Sequence, residues 1–277
     1  MAGGKKLNEV VLEPQADVAR LLICSDLRKN LILSLNNGAT TLAELREATG
    51  ASSTAAIHAL RELEKQSLTL QDGRRNYLLS SSGKIVALHL ESFVKTVDVI
   101  TRFGQFWLGH DLSGIPDDFL KSIGVLQESQ LLTSTPTDVF KAFSTFVKLL
   151  EKAKVVRGVF PIFTPDLLDT FADLAAKGIQ IGLVVTNEVR DTILELVDGS
   201  AQKNVLKTHL KLCVIEENPK TAITVTDYFF MLGLFRFDGS YDYSDELLSY
   251  SEQGIEWGRG LFNHYVKASK GFDLREY

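Results

Sequence analysis

The sequence predicts an α/β protein, α+β overall, with an N-terminal winged helix-turn-helix followed by a C-terminal α/β domain. Three observations carry this reading. Helical apolar spacings between residues 17 and 66 are followed by an alternating pattern centred on a turn. From residue 155 to 197, short apolar runs alternate with amphipathic ones, as strands and helices of a parallel sheet do. A chain of 277 residues, 45% hydrophobic, has apolar mass for more than one core. The expected division is residues 1–90 for the winged helix, 91–125 for a linker helix and connector that offers dimer contacts, and 126–277 for the α/β domain.

The first helix is expected from Asp17 to Leu35, on the spacing of Val18, Leu21, Leu22, Leu27, Leu31, Ile32 and Leu35, with Asn36-Asn37-Gly38 closing it. Thr41 stands three residues before Glu44, a capping box, and opens a short helix that Gly50 ends. Ser52 or Ser53 caps a third helix through Ala56, Ile57, Leu60 and Leu63 to about Gln66. A short helix, a turn with glycine and a longer helix is helix-turn-helix spacing. Leu68 to Gln71 and Asn76 to Leu79 then flank Asp72-Gly73-Arg74-Arg75, which reads as a hairpin and therefore a wing. Ser80 to Gly83 open an exit helix carrying Ile85, Leu88, Phe93, Val97 and Ile100.

At 100° per residue, Thr54, His58, Arg61 and Lys65 fall on the third helix opposite Ala56, Leu60 and Leu63. All four can donate hydrogen bonds. With Thr41, Ser52 and Ser53 at helix starts, where backbone N–H groups favour phosphate, they suit a helix laid in the major groove of double-stranded DNA. Arg61 is the candidate for a guanine edge, and Arg74 and Arg75 at the wing tip for phosphate or the minor groove.

The net charge of −5 speaks against nucleic acid until the chain is divided. Residues 1–90 hold eleven Lys+Arg and nine Asp+Glu, a net of +2, and the remainder carries −7. An acidic C-terminal part therefore masks a mildly basic reader. The longest stretch free of charged side chains, Asn30 to Ala43, is too short and too polar to span a bilayer. Met1 to Lys6 are followed by no apolar run, so no secretory signal is expected and the compartment is cytoplasmic. Cys24 and Cys213 form neither a disulfide framework nor a metal knuckle; no metal or cofactor is expected.

Further on, a helix is expected at about Pro136 to Lys154. Val155 to Phe160 reads as a strand, Pro165 to Lys177 as a helix capped by Thr164, Ile179 to Val185 as a strand and Asn187 to Val197 as a helix, hence a parallel sheet. Lys211 to Ile215 and Ile223 to Val225 add strands, Tyr228 to Phe235 is a buried apolar run, and Ser244 to Ala268 a closing helix. Ligands of open parallel sheets lie outside the carboxyl ends of the strands. That places Phe163, Thr164, Thr186 and Asn187 in a candidate effector site, completed by Asp227, Asp238, Tyr241 and Trp257.

For catalysis, only His209-Leu210-Lys211 followed by Glu216 has a recognisable spacing, that of the H-x-K-x₄-D motif of phospholipase D-like hydrolases. Glu216 replaces the aspartate, no Gly-Ser-x-Asn follows and no second copy exists. A phosphodiesterase with a winged-helix targeting module is the alternative reading; the expectation is no enzyme.

The stretch Thr226 to Phe235, then Asp238-Gly239-Ser240-Tyr241-Asp242, then Ile255-Glu256-Trp257-Gly258 with Leu261, Phe262 and Tyr265, resembles the sensor domain of archaeal winged-helix regulators grouped with the methanogenesis regulatory protein that controls filament growth. Ser134-Thr135-Pro136-Thr137-Asp138 and Phe160-Pro161-Ile162-Phe163 resemble the same pattern. The resemblance spans nearly the whole chain. It implies a transcription regulator with an N-terminal DNA reader and a C-terminal domain for a small-molecule effector or protein partner; the few cations of that reader, in turn, call for two subunits, so a homodimer is expected. The resemblance also implies a kinship of the C-terminal domain with phospholipase D-like sensors, which accounts for the degenerate motif.

Overall fold

The computed structural model describes residues 16–274; the expected absence of a signal at Met1 to Lys6 falls outside them. The chain divides into two compact units between Val94 and Lys95.

The first unit holds helices α1 (Ala16–Ile23), α2 (Asp26–Leu35), α3 (Leu42–Thr49) and α4 (Ser53–Lys65), strands β1 (Thr69–Gln71) and β2 (Tyr77–Leu79), and the start of α5 (Ser81–Arg102). The single helix expected from Asp17 to Leu35 is two. Ser25 breaks it because its hydroxyl accepts the Arg28 N–H and caps α2, while Arg28 Nε donates to Leu21 O at 2.7 Å. The capping box of Thr41 and Glu44 forms, and Gly50 ends α3 with φ 67°, a conformation that costs glycine nothing. Ser52, not Ser53, caps α4. Leu31, Ile32, Leu45, Leu60, Leu63, Leu68 and Ala87 form this unit's core.

The hairpin pairs Thr69 with Leu79 and Gln71 with Tyr77. Asp72 folds its turn, its Oδ1 accepting the N–H groups of Arg74 and Asn76 at 2.8 Å. At the entry to α5 the backbone passes so close to Leu68 that a Cβ on Gly83 would lie 1.8 Å from its carbonyl oxygen, which only glycine permits.

The second unit continues with α6 (Gly104–Gly109), β3 (His110–Asp111), α7 (Asp117–Leu120), β4 (Gln130–Thr133), α8 (Lys141–Leu150), β5 (Val155–Phe160), α9 (Pro165–Ala176), β6 (Gln180–Thr186), α10 (Asn187–Gly199), α11 (Lys203–His209), β7 (Leu210–Ile215), β8 (Thr221–Thr226), β9 (Phe230–Arg236), β10 (Tyr241–Ser249), α12 (Glu252–Ala268) and β11 (Lys270–Phe272). Among the described residues the strands form one nine-stranded sheet ordered β11-β7-β6-β5-β8-β9-β10-β4, with β3 beside β9. Only β5, β6 and β7 run parallel; β8 lies antiparallel on β5, so the sheet is mixed rather than wholly parallel.

Alternate side chains divide between two cores. Val156, Phe160, Met231 and Leu248 join the helices α8 to α11 on one face, and Val159, Ile223, Leu232 and Leu247 join α12 on the other. Residues 91–125, read from the sequence as linker helix and connector, supply Val99, Phe103, Phe106, Trp107, Ile115 and Ile123 to the second core.

Two expected helices are shorter. The one at Pro136 to Lys154 is confined to Lys141–Leu150, because Thr135 and Asp138 exchange backbone hydrogen bonds in a turn ahead of it. The one at Ser244 to Ala268 begins only at Glu252, capped by Ser251, since Tyr241–Ser249 is a strand paired with both β9 and β4.

Candidate nucleic-acid interface and ligand cavity

On α4, Ala56, Ala59, Leu60 and Leu63 are buried, while Thr54, His58, Arg61 and Lys65 are exposed at steps of four, three and four residues. One helical face therefore carries all four expected groups. Glu62 and Glu64 stand half-buried beside that face, not on it. Ser52 Oγ is occupied, accepting the Ala55 N–H at 3.2 Å, and Ser53 is exposed in the first turn. Thr41 is exposed but bound into the box. Glu44 accepts the hydroxyls of Thr40 and Thr41 and the Thr41 N–H, and these bonds, Thr40 first, hold its carboxyl down at about 2.

Arg74 and Arg75 are exposed at the hairpin tip. Arg75 sits at φ 63°, a left-handed position held by its N–H to Asp72 O at 3.0 Å. No side-chain ion pair engages His58, Arg61, Lys65, Arg74 or Arg75 among the described residues, so the lysine and three arginines face solvent with their charge unneutralised.

In the second unit an aromatic cavity opens beyond the carboxyl end of β5. Its floor is the sheet. Ala222, Gly233 and Glu246 stand in one row across β8, β9 and β10, with Thr224 and Met231 in the next. Small residues make the hollow. A Cβ on Gly233 would lie 2.0 Å from the Tyr241 hydroxyl, and one on Gly158 2.2 Å from the Phe160 ring, so both rings lie on bare backbone. The walls are Phe143 and Phe146 of α8, and Phe160, Phe163 and Thr164 at the β5 to α9 turn.

Among the described residues lining this space, Glu246 alone carries a carboxyl or a basic group. Its Oε1 accepts the Tyr241 hydroxyl at 2.9 Å, while Oε2 is buried with no partner. Burial pushes the carboxyl up to about 7 against that hydrogen bond, and the Asp242 charge adds to the rise. Tyr241 itself is pushed well above its ordinary value by burial. Thr164, expected as a cap, makes no capping bond, and its Oγ1 is also buried without a partner.

Of the sequence-derived effector residues, Phe163, Thr164 and Tyr241 meet here; the other five do not. Thr186 caps α10, and Asn187 Oδ1 accepts from Arg190. Asp227 accepts the Lys154 N–H, and Asp238 closes the turn with Ser240. Trp257 packs against Phe119 and Phe230 and donates to Phe119 O at 3.1 Å. Sequence reasoning missed Glu246, Tyr243, Phe143 and Phe146. Phe143 and Phe146 were findable by their spacing of three on a helix that ends at a sheet.

A buried joint secures the strand beside the cavity. His110 Nε2 lies 3.1 Å from Asp242 Oδ2, Nδ1 2.5 Å from Phe106 O, and Arg236 donates to the same Asp242 oxygen at 3.0 Å. Although burial opposes it, the Ser244 N–H, Arg236 and His110 hold the Asp242 carboxyl below the usual range.

The residues of the hydrolase-like motif are dispersed. His209 ends α11 and bonds Gln180 at 2.7 Å, while Glu216 lies past the far end of β7, paired with Lys270. Six strand residues separate the two, about 20 Å, so they do not share a site with Lys211. No cluster of metal-capable side chains occurs among the described residues, and none of their helices is long and apolar enough to cross a membrane.

Comparison with known proteins finds relatives for two stretches of the chain. The family model for the N-terminal domain of the methanogenesis regulatory protein FilR1 matches residues 16–98, and that for its middle domain residues 139–268. The FilR1 protein of Methanothrix harundinacea (strain 6Ac) is 28% identical over 260 residues, covering 92% of this chain and 58% of the relative, so the chain spans less than two thirds of that relative's length. Among solved structures, the archaeal chromatin protein TrmBL2, described as showing a novel mode of DNA binding, is similar with TM-score 0.41 and 14% identity over 89% of this chain and 94% of that one. A phosphatidylserine synthase of Haemophilus influenzae Rd KW20 is similar with TM-score 0.39 and 13% identity over 53% and 40%.

Proposed function

This chain belongs to the family of the methanogenesis regulatory protein FilR1, and on that premise we propose that it is a cytoplasmic, DNA-binding transcription regulator and not an enzyme. The N-terminal unit reads double-stranded DNA, and the C-terminal unit holds a small effector in the aromatic cavity. The observation that carries this reading is the exposed stripe of Thr54, His58, Arg61 and Lys65 on a capped helix, beside a hairpin tipped by Arg74 and Arg75. A helix so dressed fits a major groove, with its capped start near phosphate and Arg61 reaching a base edge.

Two copies act together. Four side chains on one helix recognise a short half-site, and a second copy doubles both the cations and the sequence read. On α5, Phe93, Val97 and Ile100 recur at steps of four and three and are exposed by 53%, 46% and 43%, an apolar face that suits pairing with its own copy.

The test is capture of specific sites from sheared genomic DNA by the full chain, against a variant lacking residues 72–76 of the wing. Enrichment of discrete sequences by the wild type alone supports the reading. Equal, sequence-independent recovery by both proteins overturns it.

A further inference from the structure

The cavity contains a chemical asymmetry that narrows what can occupy it. Its lining is aromatic and aliphatic apart from Thr164, Thr224, the tyrosine hydroxyls and one carboxyl, and no basic side chain among the described residues lines it. A buried carboxyl ordinarily finds a cation or a set of donors. Glu246 has one donor, Tyr241, and its second oxygen has none. The rings of Phe143, Phe146, Phe160, Phe163 and Tyr241 surround the same space, and aromatic faces attract a positive charge held within about 6 Å of the ring centre.

We propose that the cavity binds a small organic ammonium ion, its N–H donating to Glu246 Oε2 and its alkyl part resting against the aromatic walls. An anion is excluded by Glu246 with no compensating base. A neutral alcohol can donate to Oε2 as well, but lacks the full ion-pair attraction to the carboxylate and the attraction of a positive charge to the ring faces. The small floor residues Ala222 and Gly233 set the depth to which the alkyl part reaches. Thr164 Oγ1, also unpartnered, offers the ammonium a second acceptor.

The proposal rests on the reading of this cavity as an effector site, and the two are separable. Calorimetric titration of the full chain at pH 8 with butylammonium, 1-butanol and butyrate as probes measures the class of ligand, with no DNA present. The expected result is binding of butylammonium at least roughly tenfold tighter than 1-butanol, no binding of butyrate, and loss of that preference in Glu246→Gln. A single cooperative melting transition of Glu246→Gln, whatever its midpoint, establishes that the variant is folded. If it shows none, Thr164→Val, which keeps the carboxyl, serves instead and is expected to weaken butylammonium severalfold.

Equal binding of alcohol and ammonium, tighter binding of butyrate, or binding of none of the three overturns the proposal. Repeating the DNA-capture measurement with saturating butylammonium tests the effector reading alone. Binding without change in DNA affinity removes the regulatory role and leaves the ligand class standing.

Discussion

The Tyr241 hydroxyl donates to Glu246 Oε1 at 2.9 Å although they stand five positions apart on one strand. In a regular strand that odd separation would place the two side chains on opposite faces, about 16 Å apart. The register between β9 and β10 explains their meeting. Tyr241 opposes Phe235 and Glu246 opposes Gly233, so five steps on β10 answer two on β9, and the three surplus residues bulge out. The joint of Asp242 with His110 and Arg236 ties down the bulge at its start. The carboxyl and its donor thus reach one face by a local fault in the ladder.

Gly233→Ala tests this packing. The added methyl would lie 2.0 Å from the Tyr241 hydroxyl, forcing the ring off the floor and away from Glu246. Chemical denaturation is expected to show a loss of about 1–3 kcal/mol. Gly182→Ala in β6, where a methyl meets nothing within 4 Å, is expected to change stability far less. Equal effects of the two substitutions would count against the close fit.

Glu246 gives the second unit an inverted response to pH. Its folded carboxyl titrates at about 7 against 4.5 in the unfolded chain, so the folded state binds the proton more tightly. Its stabilising contribution is complete below pH 4.5 and declines as pH rises through about 7, bounded by roughly 3 kcal/mol. Thermal unfolding is expected to show a lower midpoint at pH 8 than at pH 5, and Glu246→Gln to flatten that difference. Parallel behaviour of variant and wild type is the outcome that counts against it.

Glu44 responds in the opposite sense. Its carboxyl falls from 4.5 to about 2 through its bonds to Thr40 and Thr41, so its contribution is full above pH 4.5 and fades as pH drops toward 2. Circular dichroism of the isolated residues 16–102 on acidification should lose helix earlier in Glu44→Gln than in the wild type.

At the DNA face, base and backbone contacts are expected to separate by their salt dependence. Arg61→Ala should cost about 1–3 kcal/mol for the captured site and leave non-specific binding nearly unchanged. Arg74→Ala should weaken every sequence alike and lower the slope of log K against log salt by about 0.9 per lost phosphate contact. Titrations of both variants at several salt concentrations decide the assignment, which fails if the two profiles coincide.

The apolar face of α5 makes the oligomer testable. Val97→Glu puts a charge between the exposed Phe93 and Ile100 and is expected to shift the sedimentation mass from two chains to one, with DNA affinity falling by more than tenfold. A wild type that sediments as one chain at micromolar concentration removes the pairing.

The sequence made some of this readable and hid the rest, for physical reasons. The stripe on α4 was legible because helix periodicity and the caps at Thr41 and Ser52 are local signals. The break at Ser25 was not, since apolar spacing continues across it and only the cap chemistry of one serine interrupts the helix. Of the residues lining the cavity, Phe163 and Thr164 came from the rule that places ligands at strand ends, and Tyr241 from its place near another element end. Glu246 was missed because residues 244–249 follow a helical spacing while their partners, β9 and β4, lie elsewhere in the chain. A bulge of three residues leaves no mark in a pattern read one residue at a time.

The position of β8 and β9 in the sheet sets a clock for the cavity. Each is flanked by strands on both sides and packs one face into the core beneath α12, and β9 adds Met231 to the first core, so their amides belong to the last part of the unit to open and should exchange hydrogen most slowly. The walls differ. The turn at Ser134 to Phe140 makes mainly local bonds and leaves Val139 and Phe140 exposed, and the bulge of β10 has given up regular pairing with β9. An effector held in this cavity, as proposed, is therefore expected to enter by motion of the rim over a floor that holds its shape for as long as the unit stays folded.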